Sequence, residues 1–145
     1  MSIMALKMGA VRKYVSQFDT AKDEKNGEPT VWLIGTLDGR ITGRIRDKAT
    51  TLTVNTKSIN DEVETNINTN EMHFEACLYG LRGWENFKDE KGNDIPFKTK
   101  KMLHGGQQYQ VVDVELLRSV PQIVLAELGM EIMKENMMSD DEGNA

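Results

Sequence analysis

The chain predicts an α+β fold, and three observations carry that expectation. Short runs of β-branched and aromatic residues, broken by Gly, Pro and Asp, fill the first third. After Asn70 the apolar period changes, with Phe74, Cys77, Leu78 and Leu81 at i, i+3, i+4 and i+7 on one helix face. A second helical stripe, Val124, Leu125, Leu128, Ile132 and Met133, follows a capping pattern near the C-terminus. The expected architecture is an N-terminal antiparallel β-hairpin or small sheet packed with a central helix and C-terminal helices. Residues 1–138 are expected to form one domain and residues 139–145 a flexible acidic tail.

Taken in order, the chain opens with an apolar piece around Val11, Tyr14, Val15 and Phe18, then a charged loop containing Gly27 and Pro29. Thr30 to Leu37 reads as a strand. Asp38-Gly39 then separates it from Arg40–Arg46, where Ile41 and Ile45 alternate with polar residues. An Asp-Gly pair between two such runs predicts a hairpin, with Arg40, Thr42, Arg44 and Arg46 on its wet face. A helix starting near Asp38 is the competing reading, weakened by Gly43. Residues 47–70 are rich in Thr, Asn, Ser and Asp, and predict two short strands, or one strand and a mobile loop near 55–62.

Asn70 is the expected N-cap of the central helix, with Glu71 in its first turn and Gly80 and Gly83 as stop signals. Trp84 to Phe97 then makes a charged turn around Gly92-Asn93 between Phe87 and Ile95-Pro96-Phe97. Lys98 to Gln108, punctuated by Gly105-Gly106, reads as a loop. Asp113 caps a short helix through Leu116 and Leu117. Ser119-Val120-Pro121-Gln122 opens the last helix, because Ser suits the cap and Pro the first turn. No internal repeat is evident.

A length of 145 residues permits a sizeable core. No window approaches the roughly 18 consecutive apolar residues of a membrane span, so no membrane partner is expected. Lys7, Arg12 and Lys13 near the start are not followed by the apolar run of a secretion signal. Cys77 is the single cysteine, which excludes an internal disulfide and fits a reducing compartment. Net charge of -5 argues against a dedicated nucleic-acid binder. Charge is nonetheless uneven. Arg40, Arg44, Arg46 and Lys48 form a candidate electrostatic contact, whereas Glu127, Glu131, Glu135, Asp140, Asp141 and Glu142 oppose only Lys134.

Candidate chemistry is sparse. His73 and Cys77 are spaced i, i+4 and could share a metal, but His104 is the only other histidine and lies in a glycine-rich loop. Asp89, Glu90, Asn93 and Asp94 around Gly92 lack the alternation and final glutamate of a calcium loop. Gly105-Gly106-Gln107-Gln108 lacks the lysine of a phosphate-binding loop, and no nucleophile, base and orienting acid assemble. The expectation is a non-enzyme with no metal and no cofactor. Trp84, Phe87 and Phe97 are candidate partner-binding aromatics, and Met130, Met133, Met137 and Met138 a candidate adaptable apolar face.

Several stretches resemble small accessory proteins of tailed bacteriophages. GLRGWENFKDEKGNDIPF at 80–97 is similar to their GW-E-N segment, D-x-x-G-N turn and short apolar strand. KYVSQFDTAKDEKNGEPTVWLIGTLDGR, NINTNEMHFEACLYGLRGWENF, and LLRSVPQIVLAELGMEIMKEN running on to SDDEGN resemble further pieces of the same group. The resemblance implies a tail assembly chaperone that binds the tape-measure protein or another tail protein in the host cytoplasm. Its first alternative is a minor structural virion protein at the head–tail or tail joint. There, residues 40–48 of one copy dock on residues 127–142 of the next as a homo-oligomer. A nucleic-acid-contacting accessory protein is the other alternative.

Overall fold

The computed structural model describes the backbone of residues 9–56 and 61–144, with Ile3 and Ala5, and the side chains of residues 9–48 and 70–134. The element order begins β1 (Val11–Val15), a 3-10 turn (Thr20–Asp23), β2 (Val31–Gly35), α1 (Gly39–Thr56) and α2 (Asp61–Gly80). It continues with β3 (Leu81–Glu85), β4 (Thr99–His104), β5 (Gln107–Val112), α3 (Val114–Leu117) and α4 (Gln122–Asn144). Strands β1, β2 and β3 form an antiparallel sheet with β2 in the centre, and β4 and β5 form a separate antiparallel pair. The fold is α+β, with helices segregated from antiparallel strands.

The N-terminal hairpin is real, but its partners differ from those predicted. β2 pairs with β1, placing Tyr14 opposite Trp32, and not with residues 40–46. Asp38-Gly39 is instead a helix start. The Asp38 carboxylate accepts the Ile41 N–H at 2.9 Å, and its carbonyl accepts the Thr42 N–H at 3.0 Å. Neither Asp38 nor Gly39 has the positive φ that the favoured hairpin turn demands. Ile41 and Ile45, four apart, satisfy a strand period and a helix period equally. Burial decides for the helix, since Leu37, Ile41 and Ile45 are each only 1% exposed in one core.

Residues 47–56 continue α1 and residues 61–70 begin α2, so the short strands expected over 47–70 are absent there; residues 57–60 lie outside the described set. Asn70 is therefore interior to α2 and not its cap. Helix α2 ends at Gly80, as the glycine signal predicts, and passes directly into β3, which contains Gly83. The segment from 98 to 108, read as a loop, is mostly β-hairpin. Gly105 and Gly106, with φ of 58° and 77°, supply its two-residue turn. Most side chains of β4 are exposed, so the run carried little apolar alternation to announce a strand.

Helix α2 is the spine of the molecule, packing against α1, α4 and β5. Its crossing with α4 is close because Gly129 presents no side chain. A Cβ there would lie 2.7 Å from the Cα of His73. At Gly80 an added Cβ would meet the Ile132 side chain at 2.7 Å. Around this crossing Ala76, Cys77, Leu117, Leu128 and Ile132 are fully buried. The short helix α3 starts as expected at Asp113, but the expected capping box of α4 does not form. The helix begins at Gln122, the Ser119 hydroxyl donates back to the Leu116 carbonyl, and the Gln122 side chain reaches Asn70. The Asp113 carboxylate accepts the Glu115 N–H at 3.0 Å, and the Pro121 carbonyl accepts the N–H groups of Val124 and Leu125. Of the predicted stripe, Leu125, Leu128, Ile132 and Met133 are buried and Val124 packs at the margin. The backbone of α4 is helical through Asn144.

Candidate functional site

The predicted aromatic trio turns inward. Trp84 on the β3 edge-on contacts Trp32 at 5.9 Å between ring centroids, Phe87 at 5.0 Å and Phe97 at 4.8 Å. The indole N–H of Trp84 donates to the Ile95 carbonyl at 2.7 Å, which binds the 87–97 turn back onto the sheet. Asn86 makes the bend with φ of 60°, a left-handed conformation that Asn tolerates. Within the turn, the Asp89 carboxylate accepts the N–H groups of Lys91 and Asn93, each at 2.9 Å. The calcium-like residues are thus a self-satisfied turn.

Helix α4 has two apolar faces. One is the core stripe, which takes Met133 at 7% exposure. The other carries Ile123, Ala126 and Met130 at i, i+3 and i+7, and faces Phe18 across a groove of about 370 Å³. Ile123 is 54% exposed, Met130 61% and Phe18 47%. Met137 and Met138 lie beyond the described side chains. Met130 was legible as a partner-facing residue, whereas Phe18 reaches the groove from the turn after β1 and Ile123 lies off the buried stripe.

The groove floor is fixed by a buried carboxylate. Glu127 accepts the Tyr14 hydroxyl at 2.8 Å, the Gln17 N–H at 2.9 Å and the Ser16 hydroxyl. Burial first, and the hydrogen bond to Glu127 second, push the Tyr14 phenol up to about 12. Next along the helix, Glu131 pairs with Arg12 at 3.2 Å. Both carboxylates predicted as an outward acidic surface therefore bind the chain's own β1 segment. The head-to-tail docking expected of residues 127–142 loses those two contacts.

The basic residues fall on helix α1, not on a strand, so their shared face is set by a period near four. Arg40, Arg44 and Lys48 line one side together, and Arg46 is exposed elsewhere on the helix. Arg40 donates to the Gly105 carbonyl at 3.3 Å, and Arg44 contacts His104 Nδ1 at 3.1 Å. Lys48 is held by Glu71 at 2.8 Å and by the buried Glu75. Its hydrogen bonds to Glu71 and then to Glu75 raise its pKa.

His73 and Cys77 share a helix but not a ligand. The Cys77 thiol is fully buried, lies 3.5 Å from the Leu125 carbonyl and is pushed up to about 12 by burial. His73 is 8% exposed, and burial lowers its pKa. Among the described residues no group of three or more His, Cys, Asp and Glu side chains is placed to share a metal ion, and no helix is long and apolar enough to cross a membrane. No family model, curated protein or solved structure matches the chain.

Proposed function

We propose that this chain is a non-enzymatic assembly factor of a tailed phage that binds a helical segment of a tail protein, as a tail assembly chaperone does. The observation that supports it is the second apolar face of α4. Ile123, Ala126 and Met130 stand opposite Phe18 in an open groove, although the same helix already buries a full core stripe. A groove of this kind takes the apolar face of an amphipathic helix, read as anchors at i, i+3 and i+7. Methionine at 130 suits varied partner side chains, because its unbranched thioether adapts its shape. The network at Glu127 keeps the two walls of the groove at a fixed separation. Glu131, paired with Arg12, adds a charged group to the groove lining.

Co-expression with the longest helical tail protein of the same phage tests the reading. The expected result is co-purification and raised solubility of that protein, both lost in an Ile123→Lys, Met130→Lys double variant that keeps its own melting temperature. No gain in solubility, or a gain that survives the double variant, overturns it. Mass spectrometry of purified particles separates the structural alternative. A chaperone is present in infected lysate and absent from virions, whereas a joint protein is present in stoichiometric copies.

A further inference from the structure

A cleft of about 570 Å³ lies between the first turns of α1 and the tip of the β4–β5 hairpin, on elements other than the apolar groove. We propose that this cleft binds a compact phosphoryl compound of pyrophosphate to nucleotide size. Its volume falls within the range of small-ligand sites. The lining is Arg40, Arg44, Lys48, His104 and Asp47, with Gly39 and Gly43. The two glycines lie four apart on the helix, and a Cβ at either would meet nothing within 4 Å. The helix face between the arginines is therefore bare, leaving room for a ligand to approach the backbone.

Among the described residues the donors outnumber the acceptors. Among the described residues no acceptor reaches Arg44 Nε, although the atom is buried. Nε is closed to solvent, so a ligand in the cleft would meet the terminal N–H groups of the guanidinium and not Nε itself. The Arg44 contact to His104 Nδ1 requires that nitrogen to accept, which leaves the ring proton on Nε2 as a further donor. Arg40 spends one N–H on the Gly105 carbonyl and keeps the rest of its fork. Gly105 makes that contact possible, since a Cβ there would lie 2.2 Å from Arg40 Nη2. Lys48 is already neutralised by Glu71 and Glu75, and among the described residues Asp47 is the one carboxylate lining the cleft.

These donors converge from two elements, the helix and the hairpin tip, which suits an oxyanion that accepts from several directions. Arginine forks match phosphate oxygens in pairs. A net charge of -5 disfavours a long polyanion, which would run beyond the basic cleft onto the rest of the surface, more than a compact one held within it.

Calorimetric titration of the full chain with pyrophosphate, paired with amide chemical-shift mapping, tests the assignment. The expected result is saturable one-to-one binding with shifts confined to residues 39–48 and 103–106. Arg40→Gln should weaken it about tenfold or more, the loss expected of one charge-assisted hydrogen bond. Arg44→Gln should weaken it at least as much. Arg44 is partly buried, so if that variant fails to fold, the exposed Arg40 variant decides alone. Absence of saturable binding, affinity unchanged by Arg40→Gln, or equal affinity for citrate or a glutamate-rich peptide overturns the proposal. Affinity for a single-stranded oligonucleotide that exceeds pyrophosphate and grows with its length overturns it too.

Discussion

Replacing Glu127 by alanine should be among the most damaging single changes outside the apolar core. The substitution removes one acceptor from three donors: the Ser16 hydroxyl, the Tyr14 hydroxyl and the Gln17 N–H. Ser16 is 2% exposed, so its hydroxyl cannot turn to water, whereas Tyr14 and Gln17 are more open. Orphaning a buried polar group costs about 1–3 kcal/mol, so one full loss and two partial ones amount to roughly 2–4 kcal/mol. That is a large share of the ~5–15 kcal/mol that holds a typical domain folded. Glu127→Gln keeps one acceptor oxygen and should cost about half as much. Urea unfolding followed by the fluorescence of Trp32 and Trp84 reads both values as shifts in midpoint at constant m. A Tyr14→Phe, Glu127→Gln double-mutant cycle should show coupling of about 0.5 kcal/mol or more. A loss below about 0.5 kcal/mol for Glu127→Ala, or equal effects of Ala and Gln, would refute the reasoning.

Three further outcomes follow from the same geometry. Cys77, fully buried with its thiol pushed up to about 12, should resist a thiol reagent in native buffer and react as urea opens the fold; prompt stoichiometric labelling would contradict this. His73 has a lowered pKa in the fold, so the unfolded chain binds the extra proton. Its contribution is complete above the ordinary value near ~6.5 and falls as pH drops through the folded pKa. The urea midpoint of the native chain should therefore decline below that pH more steeply than that of His73→Gln, and equal slopes would remove His73 as the cause. Gly129→Ala should cost about 1–3 kcal/mol by overpacking, because the new Cβ meets the His73 backbone at 2.7–2.9 Å. Gly80→Ala should cost less, since there the neighbour is the Ile132 side chain, which can shift; thermal melts that reverse this order would refute the assignment of the tight crossing.

Features with a local cause were legible along the chain. Asp113 caps α3 through its own neighbours and Gly80 closes α2, because caps act within one turn. The start of α4 was legible only to within a few residues, since Ser119 turns back to the Leu116 carbonyl and leaves Pro121 to begin the helix. The stripe from Leu125 to Met133 was legible because 3.6-residue periodicity over three turns has no strand counterpart. Where the period was ambiguous, only packing decided. Ile41 and Ile45 fit a strand or a helix, and it is their burial with Leu37 that makes residues 39–56 helical and carries Arg40, Arg44 and Lys48 to one cleft. The β4–β5 hairpin stayed hidden because its exposed face gives little apolar alternation. Glu127 read as surface charge, since nothing near it in the chain could bury it. Its partners Tyr14, Ser16 and Gln17 lie more than a hundred residues away, and a carboxylate leaves water only when the fold brings such donors to it.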